Sequence, residues 1–183
     1  MKRAIPLFLL LCATPAAAQQ TVNAVSANPT FAVGTTKAMW ELMTNFITKA
    51  AEQMPEADYS FKPTASVRSF GQLIGHVAGA QNLICAAALG EKGGSEDDIE
   101  KSTTTKAGLI KALRASSEYC QRAYAQSDVA SEGATTLFGG PSTRLRALVL
   151  NATHNSEHYG NIVTYMRIKG MVPPSSQPTP PRS

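Results

Sequence analysis

The sequence has few charged residues and few side chains that bind metals. Charged residues make up only 16% of its 183 residues, and there are three cysteines and three histidines. Lys and Arg exceed Asp and Glu by only 17 to 13. No basic face with interleaved aromatic residues follows any predicted helix, which argues against the electrostatic footprint of a nucleic-acid-binding protein. We therefore expect no nucleic-acid partner.

Several longer patterns are also missing. After the first 18 residues, no stretch approaches the roughly 18 continuous apolar residues that a membrane-spanning helix needs. We expect no stable membrane insertion. The sequence shows no β-strand alternation, no internal repeat and no phosphate-binding glycine loop. What it does contain is 43% hydrophobic residues, which is enough for a single core.

The first 18 residues are typical of a secretory signal peptide. Lys2 and Arg3 form a basic region, residues 5–12 an apolar region, and Ala16-Ala17-Ala18 a small-residue cleavage site. The apolar region is too short to span a bilayer. We place the cleavage before Gln19 and expect an exported protein, either periplasmic or secreted.

Apolar residues recur at helical spacing in four segments. The spacing predicts helices over 35–54, 69–90, 104–126 and 143–169. Four helices of about twenty residues, joined by connections of about a dozen, describe an all-α four-helix bundle. We expect residues 19–34 to lead into the bundle, residues 35–174 to form it, and residues 175–183, rich in Pro and Ser, to be disordered.

The three histidines fall within two of the predicted helices. His154 and His158 are four residues apart, so on a helix they stack on one face, one turn apart. Two such imidazoles can share a divalent ion, and a catalytic site usually has three protein ligands and an open position. His76 is the only other histidine. The sequence predicts that these three side chains hold one divalent ion (Zn, Ni, Fe, Mn or Co), with the second and fourth helices antiparallel.

Glu157 suggests a rival interpretation. His154-x-x-Glu157-His158 matches the H-x-x-E-H string of inverted zinc proteases, in which the glutamate would be the general base. Those enzymes need a further, usually acidic, ligand downstream, and no Asp or Glu occurs between Tyr159 and Ser183. Metalloprotease activity is therefore the less favoured alternative. Glu157 remains a candidate catalytic base.

In their order, these motifs resemble the DinB-like superfamily of four-helix, metal-dependent proteins. The matching features are Ser69 seven residues before His76, the run 154–162, then Tyr165-Met166-Arg167, Gly170 and Pro173-Pro174. The resemblance covers about residues 35–174 and implies that the three histidines bind the metal. One difference is Asn161, which stands where family members commonly have Gln.

The resemblance also implies an up-up-down-down order of the four helices. The second and third helices would then form an antiparallel hairpin. In such a hairpin Cys85 and Cys120 would differ by roughly 18 Å along the axis, at about 1.5 Å per residue. A disulfide requires Cα atoms within about 7 Å. We therefore expect two separate buried thiols.

Characterised members of this family include metal-dependent transferases and isomerases that use low-molecular-weight thiols. The resemblance thus implies a metal-dependent enzyme, a hydrolase or transferase, that acts on a small molecule through its metal site. Export weakens the thiol analogy, because reduced thiol cofactors are mainly cytosolic. A non-catalytic metal- or ligand-binding module is the alternative, and a homodimer stays open. Fold-level analogy alone does not choose a reaction.

Overall fold

The computed structural model describes residues 30–178. The predicted signal peptide, its cleavage before Gln19 and residues 179–183 lie outside the described residues. The long helices are α1 (Phe31–Gln53), α2 (Phe70–Leu89), α4 (Lys106–Ala123) and α6 (Arg144–Ile168). Short elements between them are α3 (Asp98–Ser102), α5 (Asp128–Ser131), β1 (Ala134–Leu137) and β2 (Gly140–Thr143), and 3-10 turns lie at Glu56–Asp58 and Pro174–Ser176.

The four predicted helices are all present, with ends shifted by a few residues. α1 begins at Phe31 rather than at residue 35, and α4 ends at Ala123 rather than at 126. The start of α2 follows from local chemistry. Ser69 accepts a hydrogen bond from the backbone N–H of Gln72, and the Gln72 side chain accepts one from the Ser69 N–H. This capping box satisfies two N–H groups that the first turn leaves free.

The expectation of no β-structure is wrong. β1 and β2 pair antiparallel, with Ala134 opposite Thr143 and Leu137 opposite Gly140. Phe138 and Gly139 form the turn, with φ of 50° and 77°. Two successive positive φ values match the tight hairpin turns whose twist suits paired strands. Strands of four residues are too short to show a period-2 pattern that could be read from the sequence.

α2 and α4 run parallel. The Gln81 side chain donates to Ser116, and Cys85 is bonded to Cys120. Residue numbers therefore increase in the same direction along both helices. The segment between the helices, residues 90–105, contains α3, which packs back along α2. This crossing returns the chain to the N-terminal end of α2 before α4 begins.

α6 runs antiparallel to α2 and parallel to α1. Asn151, early in α6, donates to Cys85 late in α2, whereas the later His158 lies beside the earlier His76. Thr44 of α1 accepts a hydrogen bond from Asn155, and further along both helices Phe46 stacks on Tyr159. The predicted antiparallel relation of the second and fourth helices is therefore confirmed. The up-up-down-down order is not confirmed, because these contacts give the order up, down, down, up.

Cys85 and Cys120 form a disulfide, with Cα atoms 5.3 Å apart and both side chains fully buried. The expectation of two separate thiols is wrong. It rested on an antiparallel hairpin of the second and third helices. In the parallel arrangement, two cysteines near the C-terminal ends of α2 and α4 lie at the same height.

The expected disorder from residue 175 is wrong for the part that the structure describes. Pro174–Ser176 forms a 3-10 turn against α6. The Tyr159 hydroxyl donates to Ser175 Oγ at 2.8 Å and accepts from the Ser175 backbone N–H at 2.9 Å. The chain after α6 therefore folds back onto the helices.

α2 is the core helix of the fold. Among the described residues, only α2 is long and apolar enough to cross a membrane by length and composition. Of its most apolar stretch of 18 residues, 78% is buried inside the protein, and the helix packs against both α4 and α6. This burial explains its apolar composition without a membrane.

Candidate metal centre

The structure brings the three predicted histidines together between α2 and α6. His76 and His158 are 5% and 8% exposed, and His154 is partly buried. Nε2 of His154 lies 3.3 Å from Nε2 of His76 and 3.0 Å from Nε2 of His158. Because α2 and α6 are antiparallel neighbours, the pair on α6 meets the single histidine on α2. The Nε2 atoms of all three histidines therefore point to a common centre.

The geometry and the hydrogen bonding of the histidines fit a divalent ion. Three nitrogens at about 2.0–2.1 Å from a tetrahedral ion would lie about 3.3 Å from one another, and the measured separations are 3.0 and 3.3 Å. Within residues 30–178, Nδ1 of each histidine is buried and lacks a hydrogen-bond partner. The Nε2 atoms thus face one another, and a neutral imidazole that carries its proton on Nδ1 would present its Nε2 lone pair to a shared ion. This buried three-histidine group could hold a metal ion.

The histidines are held in the neutral form that binds metals. Burial, followed by the charge of Arg68 and the neighbouring His154, lowers the pKa of His76 to about 4. Burial, followed by the other two histidines, lowers the pKa of His158 to about 3. Burial also lowers the pKa of His154. Because only neutral imidazole donates a lone pair, no proton has to leave these side chains at neutral pH for metal to bind.

Two carboxylates that the sequence interpretation missed approach His76 from its other side. Asp97 Oδ1 and Glu100 Oε2 lie 3.8 and 4.0 Å from His76 Nδ1. Arg68 Nε donates to Glu100 Oε2 at 2.9 Å. The sequence signal for them is weak: the acidic run 96–100 resembles any solvated surface segment.

A cleft of about 740 Å³ opens beside the histidines. Its walls include His158, Arg68, Gln72, Asn161 and Tyr165. Tyr165 donates its hydroxyl proton to the Arg68 carbonyl, which ties the loop before α2 to α6. The volume suits a small molecule. Asn161, the position at which this sequence departs from the family pattern, lines the cleft rather than the histidine group.

Glu157 lies on the outer face of α6. Its side chain is exposed, and its negative charge only raises the pKa of His154 against the larger effect of burial. In the described part of the chain, the groups that place three ligand atoms within 4.8 Å of one another do not include Glu157. The structure therefore places this candidate base away from the common centre of the histidines.

The fold and the site define a mostly helical protein with a three-histidine group beside a cleft of about 740 Å³. The chain belongs to the DinB superfamily, whose family model matches residues 39–162. The resemblance inferred from the motifs is thereby confirmed. Comparison with curated protein sequences gives no match.

Solved structures show the same fold. A DinB-like protein from Bacillus cereus is 17% identical, with a TM-score of 0.66, and the match covers 76% of this chain and 93% of that one. A DinB-like protein from Bacillus subtilis is 22% identical, with a TM-score of 0.57 and 70% and 87% covered. A mycothiol-dependent maleylpyruvate isomerase is 16% identical, with a TM-score of 0.57 and 79% and 78% covered. At these identities the likeness concerns the fold alone.

Proposed function

We propose that this protein is an exported metal-dependent enzyme, a hydrolase or transferase acting on a small molecule, built on a four-helix bundle of the DinB type. The observation that carries the proposal is the convergence of Nε2 of His76, His154 and His158 within 3.0–3.3 Å along the two measured pairs. One of the three, His158, also lines the cleft. A substrate in the cleft would therefore reach the ion.

Different side chains would bind the ion and the substrate. The three neutral imidazoles hold the ion, which can be Zn, Ni, Fe, Mn or Co, since all of these accept imidazole nitrogen. A divalent ion there would supply a Lewis acid to the cleft. Arg68, Gln72 and Asn161 offer hydrogen-bond donors that would orient a polar substrate along the cleft wall. Burial of the histidines limits the access of water from behind.

Two observations bear on the reaction type. A structural neighbour is a mycothiol-dependent isomerase, which supports chemistry with a thiol co-substrate. Export argues the other way, because reduced thiols are scarce outside the cytosol. Support for export comes from the basic and apolar regions of residues 1–18 and from a buried disulfide, which forms in oxidising compartments. Hydrolase and transferase chemistry both remain within the proposal.

The alternative is a non-catalytic metal- or ligand-binding module. It is favoured by the exposure of Glu157, since no other base was predicted for the site. A metalloprotease is the less favoured enzyme for the same reason and because no acidic ligand follows α6. We propose no nucleic-acid partner and no stable membrane insertion for any of these functions. A homodimer stays a prediction.

The proposal is tested by a substrate screen on the mature protein loaded with each of the five metals. Esters, amides, lactones and thiol-transfer substrates would be compared before and after chelation. We expect one class to turn over, with the rate lost on chelation and in His158→Ala. An intact metal site that turns over nothing, while small molecules shift the melting temperature of the loaded protein, would establish the binding module instead.

A further inference from the structure

α3 lies directly on a glycine face of α2. Gly75 and Gly79 are one turn apart on α2, and both face the segment around α3. A Cβ at Gly79 would overlap the backbone carbonyl of Glu96, and a Cβ at Gly75 would come within 2.8 Å of Cα of Glu100. Any side chain at these positions would push the segment away. The two glycines therefore permit an approach of backbone to backbone.

This close approach determines where two carboxylates lie relative to His76. His76 follows Gly75 directly, so the segment that lies on Gly75 and Gly79 also lies beside His76. Asp97 and Glu100 come from that segment and approach His76 Nδ1 at 3.8 and 4.0 Å. Glu96 of the same segment also places a carboxylate oxygen within 4.8 Å of a His76 ring nitrogen. The Glu100 side chain is only 13% exposed.

Both carboxylates form ion pairs with cationic side chains and also lie near His76. Arg68 Nε donates to Glu100 Oε2 at 2.9 Å, and an Arg68 guanidinium nitrogen lies 3.7 Å from Asp97 Oδ1. Lys101 pairs with the other Asp97 oxygen at 3.1 Å. The carboxylates are thus fixed on the side of the imidazole that faces away from His154 and His158.

His76 supplies the complementary group. Its Nδ1 is buried and has no hydrogen-bond partner among residues 30–178, while its Nε2 faces the other two histidines. A neutral imidazole carries one N–H and one lone pair. A proton on Nδ1 would point to the acidic pair and leave the Nε2 lone pair free for an ion.

We propose that Glu100 and Asp97 are positioning residues for His76, and that the glycine face of α2 exists to bring them there. Their negative charge fixes the proton on Nδ1 and directs the Nε2 lone pair to the common centre. In metal sites, outer carboxylates of this kind set the tautomer of a ligating histidine and strengthen its binding. The inference rests on the proposed metal site and adds the residues that prepare it.

The first test removes the charges of Asp97 and Glu100 and leaves that of Glu96 in place. In the double variant Asp97→Asn/Glu100→Gln, we expect the affinity for Zn²⁺, measured by competition with a chromophoric chelator, to fall about 10–100-fold. Nitrogen-15 NMR of the metal-free protein should show His76 shifting from the Nδ1–H tautomer toward a mixture of both. Glu118→Gln is the matched control, since Glu118 is exposed on α4 and forms no ion pair in the part of the chain described.

The second test moves the segment and leaves every ionisable group in place. Gly79→Ala should weaken Zn²⁺ binding and disturb the His76 tautomer in the same direction, because the added methyl group displaces the backbone at Glu96. Gly160→Ala is the control, since a Cβ at Gly160 on α6 meets nothing within 4 Å. If Gly79→Ala does not fold, as judged by circular dichroism, the double variant decides alone.

Three results would overturn the inference. Unchanged Zn²⁺ affinity with an unchanged tautomer in the double variant would show that the carboxylates do not act on His76. A second bound ion per chain, lost in the double variant, would make Asp97 and Glu100 ligands rather than positioning residues. A mixture of tautomers in the unaltered protein would also contradict it. Because the tautomer is measured without metal, it tests this inference even if the protein binds none.

Discussion

The three imidazoles are buried close together, and this packing favours their neutral forms. Burial and the mutual repulsion of the charged forms lower the pKa of His76 and His158 to about 4 and about 3, from an ordinary value of 6.5. Between those values and 6.5, the unfolded chain binds protons that the metal-free folded protein does not. Folding is therefore opposed increasingly as the pH falls through this window.

We predict that the free energy of unfolding of the metal-free protein decreases as the pH is lowered from about 6.5 toward 4. His158→Gln, which cannot titrate at this position, should show a shallower decrease. Urea denaturation in the presence of a chelator at a series of pH values measures both slopes. Equal slopes for the two proteins would mean that His158 is not held neutral by its surroundings.

Glu157 differs from the histidines, because it is adjacent to His158 in the sequence and yet lies outside the metal centre. It is exposed on α6 and outside the three-histidine group. We predict that Glu157→Gln leaves metal affinity nearly unchanged and alters any activity far less than a histidine substitution. Equilibrium dialysis and steady-state rates check this. A loss of several orders of magnitude in rate with the metal retained would restore Glu157 as the general base.

At the residue scale, the histidine set could be predicted because one turn of helix fixes the relation of His154 to His158. His76 followed by elimination, as the only histidine left. Asp97 and Glu100 could not be predicted in the same way. Their position depends on the close approach of two backbone segments, α2 and the segment around α3, that Gly75 and Gly79 allow. The spacing of apolar residues within a helix does not show such a contact between segments.

The disulfide belongs to the scale of elements, since it joins α2 to α4 across a separation of 35 residues. Closing a loop of that length restricts the unfolded chain and stabilises the folded one by about 2–4 kcal/mol. We predict that Cys85→Ala/Cys120→Ala lowers the free energy of unfolding by about that amount and leaves metal affinity within a few-fold.

Urea denaturation measures the loss, and a thiol reductant serves as control because it should destabilise the unaltered protein and not the double variant. Peptide mapping of the unreduced, alkylated protein tests the bond itself. Two alkylated cysteines in place of one cross-linked peptide would show that the parallel packing of α2 and α4 is wrong, or that the pair stays reduced.

Element boundaries were largely predictable, whereas element directions were not. The spacing of apolar residues indicates which face of a helix is buried and carries no information on which end of a neighbour it meets. For α2 and α4 the deciding feature is the crossing segment with α3, whose five helical residues give little periodic signal. The β1–β2 hairpin was also missed, because its strands of four residues give little periodic signal and their pairing depends on a tight turn at Phe138 and Gly139.

At the scale of the whole molecule, the predicted signal peptide and the disulfide agree with each other. An oxidising compartment favours the Cys85–Cys120 bond, and export through a cleavable signal leads to such a compartment. We predict that the protein recovered from the cell envelope or medium of an expressing bacterium begins at Gln19. N-terminal sequencing or intact mass decides this. A chain that retains Met1 and stays in the cytosol would contradict it.

We propose that His76, His154 and His158 together hold one divalent ion. Elemental analysis of the purified mature protein tests it most directly, alongside His76→Ala, His154→Ala and His158→Ala variants that circular dichroism shows to be folded. We expect one ion per chain in the unaltered protein and a nearly complete loss in each variant. Retention of one ion per chain by His76→Ala would contradict it.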